Sequence, residues 1–163
     1  MDKRARGRRR AARILSLLPV LLIMAVIFYF SAQPVVQSSG TSDGFVVRLI
    51  RWFYPDFDAL SPAQQGQLRH SLTVLVRKTA HVLEFAALGF ALLLHLRALA
   101  LPKAPVWAWL IGALYACSDE LHQLFVPGRG PRVSDVAIDS AGVILGIAVY
   151  LLCAKLFRKR KKE

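Results

Sequence analysis

YACSDELHQLFVPGRGPRVSDVAID, residues 115–139, sets Asp119, Glu120, His122, Gln123, Arg129, Arg132, Asp135 and Asp139 between two apolar runs that each read as a membrane crossing. A charged side chain at the centre of a lipid-facing helix costs roughly 2.5–3.5 kcal/mol on insertion scales. The four carboxylates of this hairpin therefore belong in a protein interior, a wet cavity or the headgroup zone. Function is to be sought there.

Moving outward, the rest of the chain fits one membrane domain. Its 163 residues are 55% hydrophobic, too apolar for an ordinary soluble domain and too few for two. Ile14–Ala32, Val106 to about Phe125 and Val136 to about Phe157 carry the transmembrane signal outright; a fourth run, from about Ala80 to Ala100, is interrupted by His81, Glu84 and His95. Each is near the ~20 residues that cross a hydrocarbon core of about 30 Å.

The net charge of +12 is concentrated at the ends: residues 1–13 carry seven Lys or Arg against Asp2, and residues 155–163 carry six against Glu163. Basic clusters abutting apolar spans follow the positive-inside rule and place both termini in the cytoplasm, against anionic lipid. No nucleic-acid partner is expected. Two ends on one side require an even number of spans. The expected fold is an all-α, integral membrane four-helix bundle in a bacterial cell membrane. It has a basic cytoplasmic tail over 1–13, a four-span domain over 14–154 and a second basic tail over 155–163.

The first apolar run is about 19 residues long, above the 7–15 of a signal core, and lacks a small-x-small cleavage site, so it reads as a retained span. It ends in Phe28, Tyr29 and Phe30, an aromatic belt at the outer interface. Turn-rich QPVVQSSGTSDG follows, then FVVRLIRWFY, where Phe45, Val46, Leu49, Ile50 and Phe53 recur at helical spacing opposite Arg48 and Arg51. This predicts a short amphipathic helix in the first extracytoplasmic loop, lying on the membrane with Trp52 as anchor or packed on the bundle. Ser61-Pro62-Ala63-Gln64 carries the signature of a capped helix start, leading inward as one long helix or two. Pro102 and Pro105 mark a tight cytoplasmic connection, and PGRGPRVS links the last two spans with Ser134 as a candidate cap. Cys117 and Cys153 fall at opposite ends of their spans, levels roughly 25 Å apart at 1.5 Å per residue, beyond disulfide reach.

This topology puts three polar groups at one level. Arg77, Lys78, His81 and Glu84 lie at the outer end of span 2, Asp119 to Gln123 at the outer end of span 3, and Asp135 and Asp139 at that of span 4. At 100° per residue, Arg77, His81 and Glu84 fall on one stripe, and Tyr115, Asp119 and His122 on another. Asp135, Asp139, Gly142 and Gly146 form a third, and GxxxG spacing turns that face toward the bundle interior.

Each position also has a structural reading. Asp135 complements a helix dipole; Arg77, Lys78, Arg129 and Arg132 meet headgroups; His95 and His122 are interfacial histidines. Glu84, Glu120 and Asp139 lie at least a turn inside their spans, where an ion-pair network is the structural account. No metal motif is present and no cofactor is expected, although Glu84, Asp119, Glu120, Asp139 and His81 have the chemistry to hold a hard cation or share a proton. Arg129 between two glycines is suited to meeting a phosphate.

RKTAHVLEFAALGF (77–90), YACSDELHQLFVPGRGPRVSDVAIDSAGVILG (115–146) and FYFSAQP (28–34) together resemble the VanZ-like family of bacterial membrane proteins. The resemblance rests on Lys78, His81 and Glu84, on Asp119-Glu120, His122-Gln123 and Pro127-Gly128-Arg129, and on Asp135 with Asp139, where many relatives have Asn at the last position. It covers the four expected spans; the tails and residues 35–60 are not diagnostic. It implies a four-helix integral membrane protein, and the family's founding member is associated with resistance to the lipoglycopeptide teicoplanin. It does not supply a biochemical activity.

Three functions fit these residues. In the first, Glu84, Glu120, Gln123 and Arg129 shape an outer-face pocket for a lipid headgroup or cell-wall precursor, altering the envelope so that susceptibility to teicoplanin-type antibiotics falls. In the second, an outer-face enzyme acts on a lipid-linked phosphate, with Glu120 or Asp139 as base, His81 as acid or base partner and Arg129 as clamp. A proton-coupled transporter is third, because only His95 stands on the cytoplasmic side. A homodimer fits the small enclosed volume of four short helices.

Overall fold

The computed structural model describes residues 3–130 and 132–160; the outermost residues of both basic tails, 1–2 and 161–163, lie outside them. Among the described residues, the chain forms five α-helices and one 3₁₀ turn. They are α1 (Lys3–Ser31), α2 (Val35–Phe53), the 3₁₀ turn (Pro55–Ala59), α3 (Pro62–Ala98), α4 (Ala104–Gln123) and α5 (Val133–Arg160). Arg10–Ser31 of α1, α3 and α5 are long and apolar enough to cross a membrane, which supports a membrane protein.

Helix α4, the expected third span, is not among these three. Its last turn carries Asp119, Glu120 and Gln123, all buried, so the apolar part runs only from Ala104 to Ser118. Fifteen such residues rise about 22 Å, short of a hydrocarbon core of about 30 Å. Helix α3 departs in the other direction: its 37 residues rise about 55 Å as one uninterrupted helix. The capping box at its start is formed, with the Gln64 N–H donating to Ser61 Oγ and the Ser61 N–H donating to Gln64 Oε1 at 3.1 Å.

The long α3 serves two cores. Its N-terminal half supplies Leu68, Leu72 and Val76 to a small cluster with Val46 and Ile50 of α2 and Phe57 of the 3₁₀ turn. The expected amphipathic stripe is thus split: Val46 and Ile50 pack inward, while Trp52 is 80% exposed and Phe53 75%. Helix α2 also begins ten residues before the expected start at Phe45, taking in the segment read as turn-rich. Ser and Thr cost less than about 0.7 kcal/mol in a helix and each Gly about 1, which one hydrogen bond per added residue offsets once the C-terminal half is anchored.

The C-terminal half of α3 forms the main core, where Phe85, Leu88, Leu92, Leu93 and Leu96 meet Ala104, Ala108 and Ala116 of α4, Val143 and Ile147 of α5, and Val20 and Ile27 of α1. Small residues let α3 and α5 touch along their backbones. A Cβ at Gly142 would stand 2.7 Å from the Val82 carbonyl oxygen, and one at Gly146 would overlap that of Ala86. Gly89 meets the Val143 carbonyl reciprocally. The glycine stripe therefore faces the interior as its spacing predicted. It is filled by α3 and offers no free face to a second copy.

Between α3 and α4 the chain reverses in five residues, with Ala100 (φ 58°) and Lys103 (φ 55°) in the left-handed region. The two cysteines are free. Ser134 is not a cap: it is the second residue of α5, its hydroxyl donating to Asp135 Oδ1 at 3.2 Å. The Arg132 carbonyl accepts the first helical bonds, from the N–H groups of Asp135 and Val136.

Candidate functional site

The connection from α4 to α5 turns sharply at Val126-Pro127-Gly128-Arg129. Pro127 sets the second position, Gly128 adopts φ 78°, and the Arg129 N–H donates to the Val126 carbonyl at 3.1 Å, the arrangement of a type II turn. The turn sends the Arg129 side chain back to α1, where its Nη2 donates to the Phe30 carbonyl at 3.2 Å. Burial, aided by the nearby charge of Arg77, pushes the Arg129 guanidinium below its ordinary range. Its Nε is buried without a partner among the described residues. After the turn, the Arg132 N–H donates to Glu120 Oε2 at 2.8 Å, so a buried carboxylate of α4 holds the entry to α5.

Helix α3 completes the enclosure. Lys78 Nζ lies 2.7 Å from Asp135 Oδ1, with both side chains about one-third exposed. One turn further, His81 Nδ1 stands 3.9 Å from Asp139 Oδ2, a charge-pairing distance but too long for a hydrogen bond. Between these elements is a cavity of about 90 Å³. A water needs roughly 10–15 Å³ on this measure, so the space suits a group of about seven small atoms.

Seven of the ten residues singled out from sequence line the cavity: Lys78, His81, Glu120, Gln123, Arg129, Asp135 and Asp139. Arg77 and Arg132 line it too, although their spacing alone reads equally as headgroup contact. Asp119 lies behind Gln123: its Oδ2 accepts from Gln123 Nε2 at 2.9 Å and from Ser31 Oγ at 2.8 Å. Ser31, fully buried at the end of α1, was not foreseen; a lone Ser in an aromatic segment has no periodic signal. Glu84 and His122 do not line the cavity. The His122 ring stacks on Phe28, centroids 4.4 Å apart, and Glu84 Oε2 is buried without a partner among the described residues.

Helical phase accounts for the split. On α4, Tyr115, Asp119 and His122 share the stripe that meets α1, where Tyr115 donates to the Met24 carbonyl at 2.7 Å, whereas Glu120 and Gln123 are rotated toward the cavity. Among the described residues, no three His, Cys, Asp or Glu side chains gather so as to hold a metal ion. What the cavity can do is bind a small charged group: guanidiniums, a lysine and carboxylates face one space, with donors of both geometry and charge.

At the opposite end of the helices polarity is sparse. The Ser16 hydroxyl lies 3.0 Å from His95 Nδ1, and Arg13 Nε donates to the Ala98 carbonyl at 3.4 Å. No curated protein and no solved structure matches the chain. The family model described as VanZ/LLP1 matches residues 16–155, from within the first helix to near the end of the fifth and across every element that builds the cavity. The chain therefore belongs to the VanZ-like family.

Proposed function

We propose that this VanZ-like membrane protein acts at the outer face of a bacterial cell membrane, where its cavity takes a lipid headgroup or the small polar end of a cell-wall precursor. Binding there alters the envelope and lowers susceptibility to teicoplanin-type glycopeptides. The observation that carries this reading is the convergence of α3, α4, α5 and the Pro127–Arg132 connection on one cavity lined by both signs of charge. In the proposed topology α1, α3, α4 and α5 form the four-helix bundle and cross the membrane, the basic ends of α1 and α5 stay in the cytoplasm, and Trp52 and Phe53 hold α2 at the outer surface. Helix α4 crosses by letting its polar last turn sit in the headgroup zone around the cavity. Support comes from the exposed apolar belts of α1 and α5, from Ile14 to Phe30 and from Ile144 to Phe157.

The test is the teicoplanin concentration that stops growth of a susceptible Gram-positive host expressing the chain, with vancomycin in parallel. A selective rise that Glu120→Gln abolishes at equal membrane abundance is expected. Undiminished protection in that variant retires the proposal.

A second reading, an enzyme acting on a lipid-linked phosphate, is favoured by one feature: His81 and Asp139 face each other at 3.9 Å within a cavity that also holds arginines. His81 then moves the proton and Arg129 holds the phosphate. Purified protein that leaves a panel of envelope lipids chemically unchanged, with and without divalent cations, removes this reading.

A further inference from the structure

The cavity's charges are unevenly matched. Lys78 and Asp135 satisfy one another at 2.7 Å, and Asp139 lies beside His81. That leaves Arg77, Arg129 and Arg132 facing Glu120 and Asp139 in the lining. Four basic side chains, Arg77, Lys78, Arg129 and Arg132, share the lining with Glu120, Asp135 and Asp139. Arg129 keeps its buried Nε without a partner among the described residues, and Arg77 lines the same space. Planar guanidiniums with free donors match the tetrahedral oxygens of a phosphate, bidentately and with charge assistance.

Size and surroundings narrow the class. About 90 Å³ holds a PO₄ group with a few further atoms. The segments that carry the lining residues also carry exposed apolar side chains: Leu121, Leu124, Phe125 at 84% and Val133 at 89%. A free anion makes no use of these apolar neighbours, whereas a lipid places hydrocarbon against them as its phosphate enters the cavity.

Building on the reading that this cavity is the functional site, we infer that its occupant is the phosphodiester of a membrane lipid, held by Arg77 and Arg129. Lys78 with Asp135 and Glu120 with the Arg132 N–H hold the walls apart and do not carry the anion.

The probe is dihexanoyl-phosphatidylglycerol below its micellar concentration, titrated calorimetrically into the full chain in phosphate-free maltoside detergent. Arg77→Gln and Arg129→Gln are each expected to weaken binding at least about tenfold, with Arg129→Lys recovering part of the loss. Arg48→Gln on α2 leaves it unchanged, and size-exclusion profiles report whether each variant is folded. Inorganic phosphate or diphosphate is expected to displace the lipid only at far higher concentration. Displacement by inorganic phosphate at equal concentration overturns the lipid source, and unchanged binding in both folded arginine variants overturns the site. Glu120-dependent protection by a wild-type protein that does not bind the probe refutes the phosphodiester and leaves the envelope reading standing. Arginine-dependent binding without protection does the reverse.

Discussion

Along the seam between α3 and α5, one half is held apart by side chains and the other is closed by backbone. In the first, Lys78 reaches Asp135 and His81 faces Asp139 across a cavity. In the second, starting one helical turn away, Gly142 and Gly146 lie against the carbonyls of Val82 and Ala86, and Gly89 against that of Val143. The same two helices therefore meet backbone to backbone over one stretch and through charged side chains beside the cavity over the next. A charged site in a small helical protein needs both: without the glycine contact the helices are not held in register, and without the cavity the polar groups have no room for a ligand.

The contrast breaks most severely at its closed half. Gly146→Ala places a methyl group on the Ala86 backbone, which cannot rotate away, so α3 and α5 must separate. A loss of about 2–4 kcal/mol is expected. Thermal unfolding in detergent reads it as a large fall in midpoint; a midpoint within 2 °C of wild type, on the order of the usual measurement scatter, shows that the closed half is not rigid.

A smaller effect tests whether the buried polar groups behind the cavity belong to its architecture. Ser31→Ala removes one of two donors to Asp119 Oδ2, whose other oxygen is already buried without a partner. The expected destabilisation is about 1.5 kcal/mol, and a neutral result in the same melting experiment means that water replaces the hydroxyl. The open half gives the smallest change. A Lys78→Met and Asp135→Asn double-mutant cycle should return a coupling below about 1 kcal/mol, because both side chains are about one-third exposed and screened by solvent. Raising the salt concentration should shrink it further. A coupling that is large and salt-independent reverses the assignment and makes this ion pair part of the rigid half.

Much of the site was legible in advance because charge is conspicuous against an apolar background. The expected topology put Lys78, His81, Asp135 and Asp139 at one level, periodicity put His81 on one stripe and Asp135 with Asp139 on another, and Gly142 and Gly146 were assigned to the interior from their spacing. Glu84 and His122 shared that periodicity and still fell outside the cavity, because a stripe about 60° wide spans more than one neighbour once several helices converge. Ser31 had no signal, since its importance depends on α1 ending beside Asp119. Helix α2 was read as half loop because Ser, Thr and Gly propensities are weak beside the packing of Val46 and Ile50.

What the chain by itself determined is its all-helical, membrane-seeking character, its basic ends and the residues able to carry chemistry, since these follow from local hydropathy, charge and spacing. Tertiary structure decided which of those residues share a cavity and what it can hold. Contact between α3 and α5 is set by backbone approach at three glycines, and the direction of Arg129 by a turn whose consequence appears only once α1 is in place.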